Sequence, residues 1–309
     1  MISVLAVVGP TASGKTALAV ELAERLGTEI ISADSMQVYA GMEIGTAAPT
    51  PEDRARVTHH LVGFLKPDQP CSAGDFERLA RPIVESLNRY GKIAVVVGGS
   101  GLYVSALIDG LFEGPPANDA IREHLHYEAE KHGVAPLFER LQGTDPAYAD
   151  LIQPNDLRRI VRALEVHEVT GRTLTSFHKE HQQQGATLNA VQIAIDLPRD
   201  VLYRRIDLRV DQMLANGFVD EVQQLLDAGY RDAIERLRSL GYRDFAAYLE
   251  GHGTFEDARE SMKRSTRRFA KRQLTWFRAD PRIHWIPGTD ETSLADYVGA
   301  AMRVLRPDF

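Results

Sequence analysis

Cysteine is almost absent from this chain: Cys71 is the only one in 309 residues. That excludes a disulfide within the chain and a cysteine-built zinc site, and it suits a reducing compartment. Long apolar runs are missing, so nothing approaches the roughly 20 residues of a membrane span. The first residues lack the basic stretch of a secretory signal. A cytoplasmic protein that avoids membranes is expected, with monomer as the default state. No basic surplus exists either. Lys and Arg number 36 against 43 Asp and Glu, a formal net charge of −7. Any nucleic-acid surface must therefore be local rather than global. The histidines offer no metal site. His59 and His60 are adjacent, so a strand would point them to opposite faces, and His178 and His181 lack a third ligand nearby. No nucleophile triad, internal repeat or extended low-complexity tract is present.

What is present begins behind the apolar run Val4 to Val8. Gly9-Pro10-Thr11-Ala12-Ser13-Gly14-Lys15-Thr16 has the phosphate-loop spacing G-x-x-x-x-G-K-[ST]. The glycines let backbone N–H groups turn onto an anion, Lys15 supplies a point charge, and the Thr16 hydroxyl can hold Mg²⁺. The stretch Ala17 to Leu26 reads as a helix, so its positive end also faces the anion.

Further short apolar runs, Glu29 to Ser32 and Ile93 to Val97, read as strands of a parallel sheet covered on both faces. They end near Asp34 and at Gly98-Gly99-Ser100-Gly101. Ligands of open α/β sheets bind beyond such carboxyl ends, so one site is expected there. A helix over Leu102 to Leu111 is followed by the break Gly114-Pro115-Pro116. From Ala117 to about Leu188 only helical periodicity is seen. In Asn155 to Glu168, Leu157, Ile160, Val161 and Leu164 form an apolar stripe beside Arg158, Arg159 and Arg162. His181 to Gly185 is expected to be a mobile exit from this block. Val191 to Leu197 returns to a strand, Arg199 to Ala215 and Phe255 to Arg278 are helical, and Arg282 to Ile286 is a candidate edge strand. The predicted fold class is α/β: a phosphate-loop core with a parallel sheet and helices on both faces, residues 1–112 and 190–309, carrying an inserted all-helical domain over 113–189.

Three features carry chemistry beyond the loop. Asp34 is placed either to bind Mg²⁺ or accept a proton from a nucleophile beside the phosphates, or simply to cap the turn Asp34-Ser35-Met36-Gln37. The strand at Ile93 to Val97 is not followed by the carboxylate usual in phosphate-loop NTPases, which argues against an ATPase motor or a switch GTPase. On the Phe255–Arg278 helix, Lys263, Arg264, Arg267, Arg268, Lys271 and Arg272 share one half of the cylinder. They are either a solvated face balanced by acids such as Glu256, Asp257 and Glu260, or a track for nucleic-acid phosphates. Arg205 and Arg209 stand one turn apart, and either can serve as a charge clamp on bound phosphates or pair on the surface.

Taken together with Ile31 to Tyr39, Gly41 to Ala47, Val97 to Tyr103, Pro154-Asn155-Asp156, Arg162 to Val166, Gly241-Tyr242-Arg243 and Lys271 to Trp276, the phosphate loop resembles that of the tRNA dimethylallyltransferases. The likeness runs in order over nearly the whole chain. It implies transfer of a dimethylallyl group from dimethylallyl diphosphate to N6 of adenosine 37 of tRNA, with Mg²⁺ assisting and diphosphate leaving. That would account for the missing carboxylate, since no nucleoside triphosphate is cleaved. By the same likeness Asp34 would be the base, and Lys15, the loop N–H groups and Arg209 would stabilise the leaving group. The loop Gly9 to Thr16 would hold the donor's diphosphate, with Thr16 on the metal. Asp34, Ser35, Met36, Gln37 and Ser100 would contact the target nucleotide, with Ser100 standing where many relatives have Thr. Arg122, the run Arg158, Arg159, Ile160, Val161 and Arg162, the run Arg238, Ser239, Leu240, Gly241, Tyr242 and Arg243, and Lys271 with Arg272 would line the tRNA. The target base would leave its stack, and the inserted helical domain would grip the anticodon arm. Lack of a zinc finger before Phe309 suggests a bacterial member. A small-molecule kinase shares the loop but needs no basic helix, and an RNA-binding regulator would transfer no prenyl group.

Overall fold

The computed structural model describes residues 2–112 and 114–305. The expected domain edge at 113 and the last core residues, 306–309, lie outside these. The chain divides into two compact units, one formed by Met1–Ile108 with Leu188–Phe309 and the other by Asp109–Thr187. Both boundaries fall a few residues earlier in the chain than expected, at 108/109 instead of 112/113 and at 187/188 instead of 189/190. The Leu188 N–H donates to the Ile108 carbonyl at 3.0 Å and ties the two crossings together there.

The first unit is built on one sheet of six parallel strands: β1 (Val4–Val8), β2 (Ile30–Ser32), β3 (His59–His60), β4 (Ala94–Gly98), β5 (Ala190–Asp196) and β6 (Ile283–Pro287), in the order β3-β2-β4-β1-β5-β6. Every residue of β1 is buried. Leu5 and Val7 pack on one face with α1 (Lys15–Leu26), α10 (Arg199–Ala215) and α15 (Leu294–Leu305). Val4, Ala6 and Val8 pack on the other with α3 (Ala73–Arg89) and α4 (Gly101–Asp109). Two-sided burial is why these strands read as unbroken apolar runs rather than alternating ones. The chain builds outward from β1 in both directions, so the crevice at its carboxyl end is the switch point of the sheet. β3 escaped the sequence because it is only two residues long. Its His59 Nδ1 lies 2.8 Å from the Val57 carbonyl, and His60 Nε2 lies 2.5 Å from Glu29.

A third layer packs α10 against α11 (Phe218–Asp227), α12 (Arg231–Leu237), α13 (Tyr242–Leu249) and α14 (Phe255–Arg278), around Phe218, Tyr242, Phe245 and Met262. The short α2 (Pro51–Arg56) completes this unit. α14 starts where Thr254 and Asp257 form a capping box, which satisfies two otherwise orphaned N–H groups.

The second unit is helical throughout its described residues: α5 (Asp119–His132), α6 (Ala135–Thr144), α7 (Pro146–Ala149), α8 (Leu157–Thr170) and α9 (Leu174–Gln184) around Leu125, Leu141, Ile160 and Leu164. One expectation is corrected here. The stretch from His181 is not an irregular exit but the last turn of α9, which ends only at Gly185 with φ +73°.

The end of β4 explains why no carboxylate follows it. A Cβ on Gly98 would lie 2.0 Å from the Ala33 carbonyl oxygen, one on Gly99 2.1 Å from the Gln273 amide, and one on Gly101 2.1 Å from the Trp276 indole. The contact at Gly98 is with backbone, which cannot swing aside. Gly98→Ala is therefore expected to cost at least about 1–3 kcal/mol, read as a lower denaturant midpoint. An unchanged midpoint would show that the β2 and β4 ends are not held this tightly.

Candidate active site

The carboxyl ends of β1, β2 and β4 deliver the phosphate loop, Asp34 and Ser100 to one place. The loop holds its shape through positive φ at Gly9 (+134°), Ala12 (+62°) and Gly14 (+93°), and Gly14 then caps α1. Such successive N–H groups form an anion nest at a helix N-terminus. The Ser13 hydroxyl is buried there without a hydrogen-bond partner.

Two cations face this nest. Lys15 Nζ reaches only the Pro10 carbonyl, at 3.2 Å. Arg209, on α10, forms no hydrogen bond or ion pair among the described residues and is not satisfied elsewhere. Burial, with repulsion from Arg209, pulls the Lys15 pKa down to about 8, against the attraction of Asp34. Burial likewise lowers that of Arg209, and Asp34 opposes it. Two buried cations opposed by Asp34 alone make a favourable place for an anion. Arg205, the other candidate clamp, is spent on Asp290 at 3.4 Å.

Lys15, Thr16, Ala47, Arg209 and Met213 form the wall shared by two cavities, of about 280 and 840 Å³. The smaller is lined by Asp34, Ser35, Met36, Gln37, Phe269 and Arg272, among others. The larger runs past Ala12, Ile44, Pro49 and Asn216 and has no contact with Asp34. Asp34 Oδ1 accepts the Met36 N–H at 2.9 Å, so the turn-capping reading holds for that oxygen, and Oδ2 has no such partner among the described residues. Ser100 Oγ accepts the Ser35 N–H at 2.9 Å and lies 3.1 Å from Ser35 Oγ. Gln37 takes the Ser32 hydroxyl and donates to the carbonyls of Thr46 and Ala47, so its amide braces a loop instead of standing free.

Two buried side chains that sequence reasoning passed over organise the site. Gln273 accepts the Thr11 N–H at 2.9 Å and donates to the Gly99 carbonyl at 2.9 Å, joining the phosphate loop to the end of β4. Its place inside Lys271-Arg272-Gln273 was the only signal available. Glu221 accepts N–H groups from Ile44 and Gly45 and the Tyr242 hydroxyl. Burial pushes its pKa up. Nothing in the sequence marks this glutamate among the acids of an amphipathic helix.

The expected basic surfaces divide into free and engaged residues. On α14, Lys263 is buried against Asp211 at 2.9 Å, and Arg267 pairs with Asp207, both carboxylates coming from α10. These two leave the proposed track. Arg264, Arg268, Lys271 and Arg272 remain exposed, and Arg272 also lines the smaller cavity. Arg238, Ser239 and Leu240 line that cavity too, and Arg243 pairs with Glu235 at 2.7 Å. Tyr242 is fully buried, and Gly241 packs on Met262, so neither side faces a partner. In the second unit Ile160 and Val161 are core residues. Their helix needs an apolar stripe, and they supply it. Arg122 and Arg162 both bind the fully buried Glu165, at 2.9 and 2.8 Å, whereas Arg158 is exposed and Arg159, also exposed, pairs with Asp156 at 3.5 Å.

Comparisons with known proteins identify the family. A family model described as IPP transferase matches residues 37–280, and one described as isopentenyl transferase matches residues 2–69. The chain is 46% identical to the tRNA dimethylallyltransferase of Syntrophobacter fumaroxidans, across 94% of this chain and 85% of that one. It is 48% identical to that of Geobacter sulfurreducens, across 90% and 89%. Among solved structures, the tRNA isopentenylpyrophosphate transferase of Bacillus halodurans superposes with a TM-score of 0.72 at 40% identity, covering 98% of this chain and 95% of that one. A eukaryotic dimethylallyltransferase acting on tRNA gives 0.83 at 27% identity, covering 99% and 79%.

The Lys15 pKa sets a pH dependence. Its value of about 8 lies below the ordinary 10.5, so folding favours the neutral amine. The stability that this group contributes is complete above the unfolded value and lost as pH falls through the folded one. A bound anion reverses the preference. Affinity for an alkyl diphosphate that is itself fully ionised should fall as pH rises above about 8, approaching tenfold per unit, and binding near pH 8 should take up protons. Titration calorimetry in buffers of different ionisation enthalpy reads both. A flat profile from pH 7 to 9, or one that Lys15→Arg leaves unaltered, would contradict the assignment.

Proposed function

The chain belongs to the IPP transferase family, and on that premise we propose that it transfers a dimethylallyl group from dimethylallyl diphosphate to N6 of adenosine 37 in tRNA. The observation that carries this reading is the unpaired Lys15 and Arg209 at the junction of two cavities, with Asp34 in only one of them.

The diphosphate sits on the loop N–H groups and the Ser13 hydroxyl, between Lys15 and Arg209. The adenine, flipped out of its stack, enters the smaller cavity beside Asp34. Its amine is a weak nucleophile, because the lone pair is delocalised into the ring. As the N6 lone pair attacks the allylic C1, the C1–O bond breaks and its electrons leave with the diphosphate. The N6 proton passes to Asp34, whose Oδ2 is the available oxygen. Lys15 and Arg209 lower the barrier by meeting charge that grows on the leaving group.

Mg²⁺ fits the donor set. The Thr16 hydroxyl lines both cavities and has no hydrogen bond among the described residues. Among those residues no group of three or more His, Cys, Asp or Glu converges. One protein oxygen plus substrate phosphates is a common way to hold this ion. When bound, it supplies further neutralisation of the diphosphate.

The tRNA lies against Lys271 and Arg272, with Arg264 and Arg268 beside them, and the second unit offers Arg158 and Arg159 to phosphates. All the reacting groups come from one chain, so a monomer suffices. No helix among the described residues is long and apolar enough to cross a membrane, and a tRNA substrate supports the reading of a cytoplasmic enzyme.

Asp34→Ala should lower single-turnover transfer by roughly 10²–10⁴ while anticodon stem-loop affinity stays within about twofold. Equal loss of both would sink the base assignment. Lys271→Ala and Arg272→Ala should each weaken stem-loop binding and reduce the slope of log K against log salt by about one phosphate's worth. An unchanged slope would return α14 to a merely solvated face.

A further inference from the structure

The loop Gly41–Ala47 supplies wall to both cavities. Gly45, Thr46 and Ala47 face the smaller, and Glu43, Ile44 and Ala47 the larger. Its shape is not one the chain adopts unaided. Ala47 sits at φ +49°, in the left-handed region that costs a non-glycine residue about 1–2 kcal/mol. Such strain persists only where the surroundings over-determine it. On one side Gln37 Nε2 donates to the Thr46 and Ala47 carbonyls, at 3.3 and 3.1 Å. On the other, Glu221 Oε2 accepts the Ile44 N–H at 2.7 Å, and Oε1 accepts the Gly45 N–H at 2.9 Å. The Tyr242 hydroxyl lies 2.7 Å from Oε1 and 3.1 Å from the Met42 carbonyl of the same loop, and its one proton serves these two acceptors. Gly45 must be glycine, since a Cβ there would lie 2.3 Å from Phe218 and 2.6 Å from Tyr242.

Glu221 is an odd residue for this task. It is 8% exposed and has no cation partner among the described residues. A buried carboxylate costs several kcal/mol of desolvation unless donors compensate for it. The helical layer around Phe218 and Tyr242 does not need one. What the carboxylate does, and an apolar side chain cannot, is accept two consecutive peptide N–H groups at once. It fixes the peptide planes that lead into Thr46 and Ala47.

We propose that Glu221 is a positioning residue for the transfer reaction: it pins the loop as the partition between donor and acceptor cavities, so that the allylic carbon meets the amine and not water. This rests on the reading given under Proposed function. When the partition loosens, the same C1–O bond breaks, a water oxygen bonds to C1 and releases its proton, and the products are a dimethylallyl alcohol and diphosphate. The leak is hydrolysis and needs no further reactant.

The test measures prenylated adenosine and prenyl alcohol together, from dimethylallyl diphosphate, Mg²⁺ and an anticodon stem-loop, with the full chain. Glu221→Gln keeps the shape but can accept only one of the two N–H groups, and Tyr242→Phe removes one donor. Glu221→Gln should lower kcat/KM for transfer roughly tenfold and raise the alcohol-to-transfer ratio severalfold. Stem-loop Kd should stay within about twofold. Tyr242→Phe should move the ratio in the same direction by less. A folded Glu221→Gln protein whose ratio matches the parent overturns the proposal, whether its activity is unchanged or both products fall together, since a merely structural role moves the two in step. Should Glu221→Gln not fold, the ratio in Tyr242→Phe decides in the same way. If the parent itself binds the stem-loop but forms no prenylated adenosine, the reading underneath fails, and this inference with it.

Discussion

Two positive charges held close together at the phosphate loop are the constraint around which the first unit is arranged. Lys15 and Arg209 repel each other and are poorly hydrated, and burial pulls both pKa values down. Such a pair is unfavourable by itself, and a polyanion lying between the two cations offsets that cost. The rest of the site keeps the pair from relaxing. α10 is fastened to α14 through Asp207–Arg267 and Asp211–Lys263. That leaves Arg209, on another side of the same helix, turned toward the phosphate loop. Gln273 holds the loop itself to the end of β4.

Buried and half-buried carboxylates do much of the sorting among the many cations of this chain. Asp207 and Asp211 take Arg267 and Lys263 out of solution. Glu165 gathers Arg122 and Arg162, and Glu235 holds Arg243. The arginines and lysines left over, such as Arg264, Arg268, Lys271 and Arg272 on α14, stay exposed, which gives an acidic chain a local basic surface. Glu221 works differently, because it takes no cation and spends its lone pairs on the backbone of the loop between the cavities.

Much of the fold was legible because its signals are local. The run Val4 to Val8 is apolar throughout since β1 is covered on both faces, and α10 and α14 begin and end where their periodicity places them. The phosphate loop and Asp34 were legible for a similar reason: each follows directly from a strand end. Less could be read of which residues face outward. Ile160, Val161 and Tyr242 lie within motifs that suggested an RNA surface, yet they form core, because a motif records position along the chain and not the direction of a side chain. β3 was missed because two residues carry no period, and the turn at His181 to Gln184 was missed because polar residues there continue a helix that Thr173 has already capped.

The sequence by itself determined the anion-binding loop, the parallel sheet beneath it and the helical insertion, since glycine spacing, apolar runs and helical period are properties of neighbouring residues. Tertiary structure alone decided which arginine faces the loop, which cations are neutralised by carboxylates from other helices, and that Gln273 and Glu221 hold the site together. Those choices depend on hydrogen bonds and ion pairs between residues far apart in the chain: Gln273 and Thr11 lie 262 positions apart, and Glu221 and Ile44 177. A pairing at that separation leaves no trace in local composition, because either partner alone is an ordinary polar residue on a helix or a loop.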